Sequence, residues 1–290
     1  MNKPIYKTTS ILLVLSACFV NISLSAQAIL SDDFNSYTSG AALPSSTSNS
    51  SFTWFTKTND ASRRNTVEQD SNNYFGEGTA NQYLHMAREA PSQNSDVQSQ
   101  QFTSQQTGVL SFDYYVNDSG DFVDSETDSL GDSGFRVTLM NGPGDPFTYG
   151  IGGKYGMGGF FITGSSIVNA ATDYRKMDNA NSFSYTTGQK NTISMVFNNS
   201  TSNLNYAGGI VASGQYDMYL NGTKLATWDL NQGVDVPIGT GTTGLWLQIP
   251  FNIEAEILVD NLEITAVPEP SSLSFAVAIL LAGALRRRRA

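Results

Sequence analysis

The sequence predicts an all-β protein, a two-sheet antiparallel sandwich of jelly-roll type, from three observations. Charged residues make up only 14% of the 290-residue chain, which disfavours long surface helices held by Glu–Lys pairs. From Ile29 to Ala266, short runs rich in β-branched and aromatic residues alternate with Gly, Asn, Asp and Ser. Within that stretch no apolar pattern repeats with a helical period, so strands are expected throughout.

The clearest strand is Val109 to Val116, where apolar and polar residues alternate as they do in a sheet with one buried face. A second strand, Thr192 to Asn198, has the same pattern. Asn221-Gly222 separates two further runs and supplies the positive φ angles of a type I′ turn, which predicts a hairpin. The other predicted strands are Phe52 to Thr56, Tyr83 to Ala87, Val97 to Phe102, Phe135 to Met140, Phe160 to Thr163, Gly244 to Ile249 and Glu256 to Thr265.

Four pieces of the chain resemble concanavalin A-like and carbohydrate-module jelly rolls. They are Asp33-Phe34, Leu110-Ser111-Phe112-Asp113, the Tyr-x-x-Tyr-Leu-Asn-Gly hairpin that begins at Tyr216, and Val259-Asp260-Asn261-Leu262-Glu263-Ile264. In the resembling modules a structural Ca²⁺ often ties the first strand to the last. The resemblance therefore implies Asp32, Asp33 and Asp260 as calcium ligands, with exposed strand-end aspartates as the alternative. The acidic segment Asp118 to Asp132 is expected to be a solvated loop.

The N-terminus predicts export. Lys3 and Lys7 precede an apolar run, Ile11 to Val20, which is followed by Ala26-Gln27-Ala28. This order is typical of a Sec signal peptide, residues 1–28, with cleavage after Ala28. A lipidated Cys18 is the alternative, because Leu15-Ser16-Ala17-Cys18 also fits a lipobox.

The C-terminus contains a second targeting segment, residues 267–290, which follows the predicted sandwich of residues 29–266. Pro268-Glu269-Pro270 precedes an apolar run, Leu273 to Leu285, and then four arginines, Arg286, Arg287, Arg288 and Arg289. Thirteen apolar residues form a helix of about 20 Å, which is marginal for a membrane span. The three elements together resemble the PEP-CTERM sorting signal. That resemblance implies exosortase and the Sec machinery as partners, and a cell-surface or extracellular location reached through a membrane-associated stage. A retained tail anchor is the alternative.

Composition excludes several functions. The chain has 26 acidic and 16 basic residues, and six of the basic residues lie in the two end segments, so nucleic acid is a poor partner. One Cys and one His exclude a disulfide framework and a zinc site built from several such residues.

The remaining residues suit glycan binding better than catalysis. Jelly-roll glycosidases place paired carboxylates at Glu-x-Asp-x-Glu spacing, a pattern this sequence lacks, so we expect no enzyme, with a hydrolase or lyase as the third alternative. Gly142 to Gly164 interleaves nine glycines with aromatic residues, which predicts either a long loop whose aromatics cap the end of the core or a binding rim for a polysaccharide. Tyr149, Tyr155 and Phe160 are its candidate contacts. A purely structural matrix component is the second alternative.

Overall fold

The structure, a computed structural model, describes residues 27–44, 53–56, 63–89, 94–124, 134–141, 156–170, 177–230, 236–250 and 253–267. These residues form an antiparallel β-sandwich, which confirms the predicted fold class. Among them we find no helix with the length and hydropathy that crossing a membrane requires. The predicted apolar segment Leu273 to Leu285 and the signal-peptide residues before Gln27 lie outside the described ranges.

Nineteen strands and one short 3₁₀ helix, Ser119–Asp121, make up the described secondary structure. The strands are β1 (Ala28–Asp32), β2 (Ala41–Ala42), β3 (Trp54–Thr56), β4 (Arg63–Gln69), β5 (Gln82–Arg88), β6 (Ser95–Ser99), β7 (Thr107–Tyr115), β8 (Phe122–Asp124), β9 (Phe135–Met140), β10 (Gly156–Ile162), β11 (Ser166–Ala170), β12 (Met177–Ser184), β13 (Asn191–Asn198), β14 (Leu204–Tyr206), β15 (Gly209–Val211), β16 (Gln215–Leu220), β17 (Thr223–Asp229), β18 (Gly244–Ile249) and β19 (Ile253–Thr265).

The strands are divided between two large sheets and one small hairpin. A ten-stranded sheet runs in the order β17-β16-β13-β7-β19-β5-β4-β2, with β1 and β8 also paired to β19. A seven-stranded sheet runs in the order β12-β11-β10-β9-β18-β6-β3. Both sheets contain neighbours that are distant in sequence, such as β7 beside β19 and β9 beside β18, as jelly-roll connections require.

The core lies between the sheets and follows the alternation in the sequence. Leu110, Phe112 and Tyr114 of β7 are buried in it, as the pattern predicted. Across the interface the ring of Phe112 stacks on that of Phe160 from β10, with centroids 6.3 Å apart and planes 9° from parallel. Burial of each such side chain contributes about 2 kcal/mol, so these residues are the main source of stability.

The predicted hairpin is confirmed, because β16 and β17 are joined by Asn221 and Gly222 with φ angles of 48° and 76°. Strand β4 was not predicted. Its sequence, Arg-Arg-Asn-Thr-Val-Glu-Gln, has few apolar residues. A polar contact compensates for this inside the fold, where Asn65 bonds to Thr56 of β3 and Ser95 of β6, both at 2.8 Å. A buried polar network is stable when its groups are satisfied.

Strand β19 contains a β-bulge between Asp260 and Glu263, where Asn261 has a left-handed φ of 50°. The bulge turns the Asp260 carboxylate into a fully buried site, where it accepts bonds from Asn81 Nδ2 (2.6 Å) and the Asn261 backbone N–H (2.7 Å). Burial raises the pKa of Asp260, the nearby charges of Glu77 and Asp113 add to that effect, and the two hydrogen bonds oppose it, which leaves the pKa at about 7.

This raised pKa predicts how stability depends on pH. The folded protein holds the Asp260 proton more tightly than the unfolded chain, so the stabilisation is complete below the ordinary pKa of 3.8 and is lost as the pH approaches 7. Between roughly pH 5 and 7, this group lowers the free energy of unfolding by about 1.4 kcal/mol per pH unit. We expect Asp260→Asn to remove that slope in urea unfolding. Asp229→Asn, at an exposed carboxylate, is the control and should keep it; equal slopes in both variants contradict the prediction.

Candidate functional site

Two rows of polar and aromatic side chains lie on the outer face of the seven-stranded sheet. They come from four adjacent strands, β6, β18, β9 and β10, whose register aligns them. The first row is Gln98, Trp246 and Thr138, and the second is Asp96, Gln248, Arg136 and Phe161. We call these seven residues the Arg136 face. They occupy the positions that alternate with the core residues of the same strands.

All seven side chains are buried, although the outer face of an antiparallel sheet is commonly solvated. The most exposed, Trp246, is 5% exposed, and Arg136 is 4% exposed. Burying a polar or charged group costs free energy unless it finds partners. The contacts within this face therefore decide what it can do.

Arg136 lies between two aromatic rings. Its guanidinium carbon is 5.3 Å from the ring centroid of Phe161 and 5.9 Å from that of Trp246. Such cation–π contacts contribute about 2 kcal/mol when they are desolvated. Arg136 also donates a hydrogen bond to the amide oxygen of Gln248. The charge is thus held in one place by a ring on each side and by an amide.

Asp96 completes the network from β6. Its Oδ1 accepts a hydrogen bond from Trp246 Nε1 at 3.0 Å and another from Gln248 Nε2. The positive charge of Arg136 and the negative charge of Asp96 are therefore linked through one amide, and the Trp246 indole is fixed in its plane. A rigid aromatic surface framed by oriented polar groups is typical of ligand sites.

Within the part of the chain that the structure describes, Gln98 Oε1 and Thr138 Oγ1 are among the buried atoms of the face that have no hydrogen-bond partner. Both residues stand directly opposite Trp246, one on each side, and they are 3% and 1% exposed. A buried polar atom without a partner costs about 1–3 kcal/mol and calls for an explanation. A ligand that carries hydroxyl groups and lies against Trp246 would satisfy both atoms.

Of the three aromatic residues that the sequence analysis singled out, the structure describes Phe160 alone. Phe160 is fully buried in the core against Phe112, and its neighbour Phe161 points to the Arg136 face instead. Tyr149 and Tyr155 lie outside the described residues, in the connection between β9 and β10. That connection starts and ends at the strands of the Arg136 face, since Met140 pairs with Gly156. The strands that precede and follow these residues in the chain therefore both contribute to the face.

The three aspartates of the predicted calcium site have separate surroundings. Asp32 accepts bonds from Trp54 Nε1 (2.8 Å), Tyr37 OH (2.6 Å) and a backbone N–H. Asp33 is exposed, and Asp260 is bonded to two asparagines. Across the described ranges, no three His, Cys, Asp or Glu side chains are grouped to hold a metal ion. Calcium binding stays a prediction.

Among known proteins, the chain is similar only to solved structures, and not to a family model or a curated sequence. No family model matches the chain, and no curated protein matches it. Among solved structures, a sialidase is 11% identical with a TM-score of 0.49, and the match covers 84% of this chain and 19% of the sialidase. The alginate lyase Aly36B is 14% identical with a TM-score of 0.47, covering 85% and 100%. SCLam, a non-specific endo-β-1,3(4)-glucanase, is 11% identical with a TM-score of 0.42, covering 82% and 90%.

At these identities the similarity concerns the fold alone. It nevertheless corrects the expectation that the chain is not an enzyme. That expectation treated the missing Glu-x-Asp-x-Glu pattern as a test of catalysis, but the proteins of similar fold include a lyase, a sialidase and a glucanase. Glycosidase classes that do not use a nucleophilic carboxylate are also known. A sandwich of this kind therefore does not exclude catalysis.

The unpartnered hydroxyl of Thr138 yields a stability prediction. We expect Thr138→Val to raise the free energy of unfolding by about 1 kcal/mol, because it removes a buried group that makes no hydrogen bond. The matched control is Thr242→Val, since Thr242 Oγ1 is buried but lies 2.8 Å from Met140 O and 3.0 Å from Gly244 O. That variant should lose about 1–2 kcal/mol. Guanidinium unfolding compares the two, and equal losses would show that Thr138 is bonded.

Proposed function

We propose that the chain is an exported protein whose sandwich binds polysaccharide on the Arg136 face. The side chains of this face are at most 5% exposed, so a ligand reaches them when the groups that cover the face move aside. The observation that carries this proposal is the pair of unpartnered polar atoms on either side of Trp246. Sugars combine an apolar ring face with hydroxyl groups that both donate and accept. The indole suits the ring face, while Gln98 Oε1 and Thr138 Oγ1 suit the hydroxyl groups.

Charge favours a neutral polysaccharide. On the Arg136 face the positive charge of Arg136 is balanced by the negative charge of Asp96. The chain carries a formal net charge of −10, and removal of both predicted end segments leaves 25 acids and 10 basic residues. An acidic polymer would approach against this repulsion. Neutral glycans meet no such barrier.

Affinity electrophoresis tests the binding site. We expect a neutral β-glucan, mannan or galactan to retard the protein, and an acidic polyuronate to retard it less. Thr138→Val and Gln98→Leu should each weaken binding about five-fold, because each removes one hydrogen bond worth about 1 kcal/mol. Ser194→Ala, on the opposite sheet, is the control. Assays for reducing ends and unsaturated sugars on the same samples report any cleavage.

Two results would overturn this assignment. Absence of retardation by every polysaccharide would remove the proposed function. Unchanged affinity in both Thr138→Val and Gln98→Leu, with retardation intact, would move the site away from the Arg136 face. The stability measurement on Thr138→Val guards against misfolding, because this variant is expected to be more stable and yet to bind more weakly.

Export and sorting form the second half of the proposal. The pattern of Pro268-Glu269-Pro270, an apolar run and four arginines supports recognition by an exosortase. In the fold, Ala28 begins β1 and pairs with Thr265. Cleavage after Ala28 leaves Leu30, Ser31 and Asp32 paired with β19, so the sheet is retained.

We expect the mature surface protein to lack residues 1–28 and the apolar C-terminal run, because both are membrane-directed segments that other proteins remove. Peptide mass spectrometry of protein isolated from the cell surface measures this directly. Recovery of peptides within Ala276 to Leu285 from that fraction would favour a retained anchor over sorting.

A further inference from the structure

The outer face of the ten-stranded sheet, opposite the Arg136 face, carries the only histidine of the chain. His85 of β5 is 4% exposed. Its Nδ1 lies 2.9 Å from Glu68 Oε1 and its Nε2 lies 2.9 Å from Glu256 Oε1. The second contact is an ion pair rather than an aligned hydrogen bond, since Nε2 has no partner in hydrogen-bonding geometry. His85 thus links two carboxylates from strands on either side of it.

His85 and the carboxylates of Glu68 and Glu256 stabilise one another's charged forms. Burial lowers the pKa of His85, but its contacts with Glu256 and Glu68 outweigh that effect and raise the pKa. The contact with His85 in turn lowers the pKa of Glu256. The Glu256 side chain is 52% exposed, so an ionised carboxylate faces solvent and is held from behind by a buried histidine.

Two cavities meet at Glu256. One, of about 260 Å³, is lined by Tyr74, Tyr115, Asn117, Glu256 and Leu258. The other, of about 220 Å³, has Arg64, Glu89, Glu254 and Glu256 in its lining. Each is smaller than the cavities that hold drug-sized ligands, and each suits a single ring-sized unit. We call these two cavities, which share Glu256, the Glu256 groove.

Aromatic rings form one wall of the first cavity. The rings of Tyr74 and Tyr115 have centroids 4.5 Å apart and planes inclined by 41°. Tyr83 packs behind Tyr74, with centroids 6.3 Å apart. Leu258 adds an apolar floor that is buried with these rings. An aromatic wall beside an ionised carboxylate and an amide provides both a stacking surface and hydrogen-bonding groups.

We propose that this groove is a second glycan site, in which a neutral sugar ring packs on Tyr74 and Tyr115 and its hydroxyl groups donate to Glu256. Glu68 and Asp113 lie on the same face of the sheet, so an anionic sugar is repelled here. The neighbouring cavity offers Arg64, Glu89 and Glu254 to the next unit of the chain. The groove thus fits a short stretch of a neutral polysaccharide.

The two sites lie on opposite outer faces of the sandwich, so one domain can hold two polysaccharide chains at once. This bridging rests on the proposed function of the Arg136 face, whereas the second site does not. Each site is built on strands of a different sheet, so the two sites do not overlap. A protein of this kind cross-links a matrix as well as attaching to it.

A capture assay tests the second site and the bridging together. A neutral β-glucan, mannan or galactan is immobilised and loaded with protein, and the same polysaccharide with a fluorescent label is then added. We expect wild type to capture the label. Tyr74→Ala and Glu256→Gln should each reduce capture at least five-fold, while retaining binding to the immobilised chain through the Arg136 face. Ser194→Ala, on the same sheet but outside both cavities, is the control, and melting temperatures confirm folding.

The outcomes separate this site from the proposed function. If Tyr74→Ala and Glu256→Gln capture label as well as wild type, the second site is wrong and the Arg136 face is unaffected. If Thr138→Val binds the immobilised chain as wild type does while Tyr74→Ala loses all binding, the second site stands and the Arg136 face is overturned. Loss of capture in each single variant, with direct binding retained in both, supports two sites. Failure of wild type to bind any of the three polysaccharides overturns both.

Discussion

The pairing of strand β19 is the constraint on which the rest of the structure depends. Strands β8 and β7 follow one another along one side of β19, and β5 and β1 along the other. The backbone groups of β19 are thereby satisfied along nearly its whole length in the interior of a sheet, where unpaired groups would be costly. The bulge at Asn261 lies where β5 gives way to β1. It bends the strand and places Asp260 against Asn81.

Alternation along the strands gives each sheet an apolar side and a polar side. The two proposed sites both lie on the polar sides. One cross-core contact shows how closely the two are connected. The Tyr216 hydroxyl, on the ten-stranded sheet, lies 2.9 Å from Gly159 O and 2.7 Å from Asn169 Oδ1 on the other sheet. Gly159 is the register partner of Thr138, so packing inside the sandwich helps to hold a strand of the Arg136 face in place.

Local pattern was sufficient to predict the main core strands and the Asn221-Gly222 hairpin, because alternation and turn chemistry depend on neighbours in sequence. Strand β4 was not predicted from the sequence, because its inward Asn65 is stabilised by Thr56 and Ser95, which lie on other strands. The Arg136 face was not predicted from the sequence for a related reason. The polar positions of β9 and β18 are visible in the sequence, but their pairing joins Arg136 to Gln248 across more than a hundred residues. No single stretch of chain contains that contact.

The two ends of the described sandwich lie side by side. Ala28 pairs with Thr265, and the Ala266 N–H donates to Gln27 O at 3.0 Å. Neighbouring ends allow a domain to be placed within a surface loop of another protein or to be circularly permuted without breaking its core. A short linker across this point would close the chain into a ring, and new ends could then be opened at an exposed turn such as Asn221-Gly222. The sandwich is therefore a scaffold that can be transplanted as a unit.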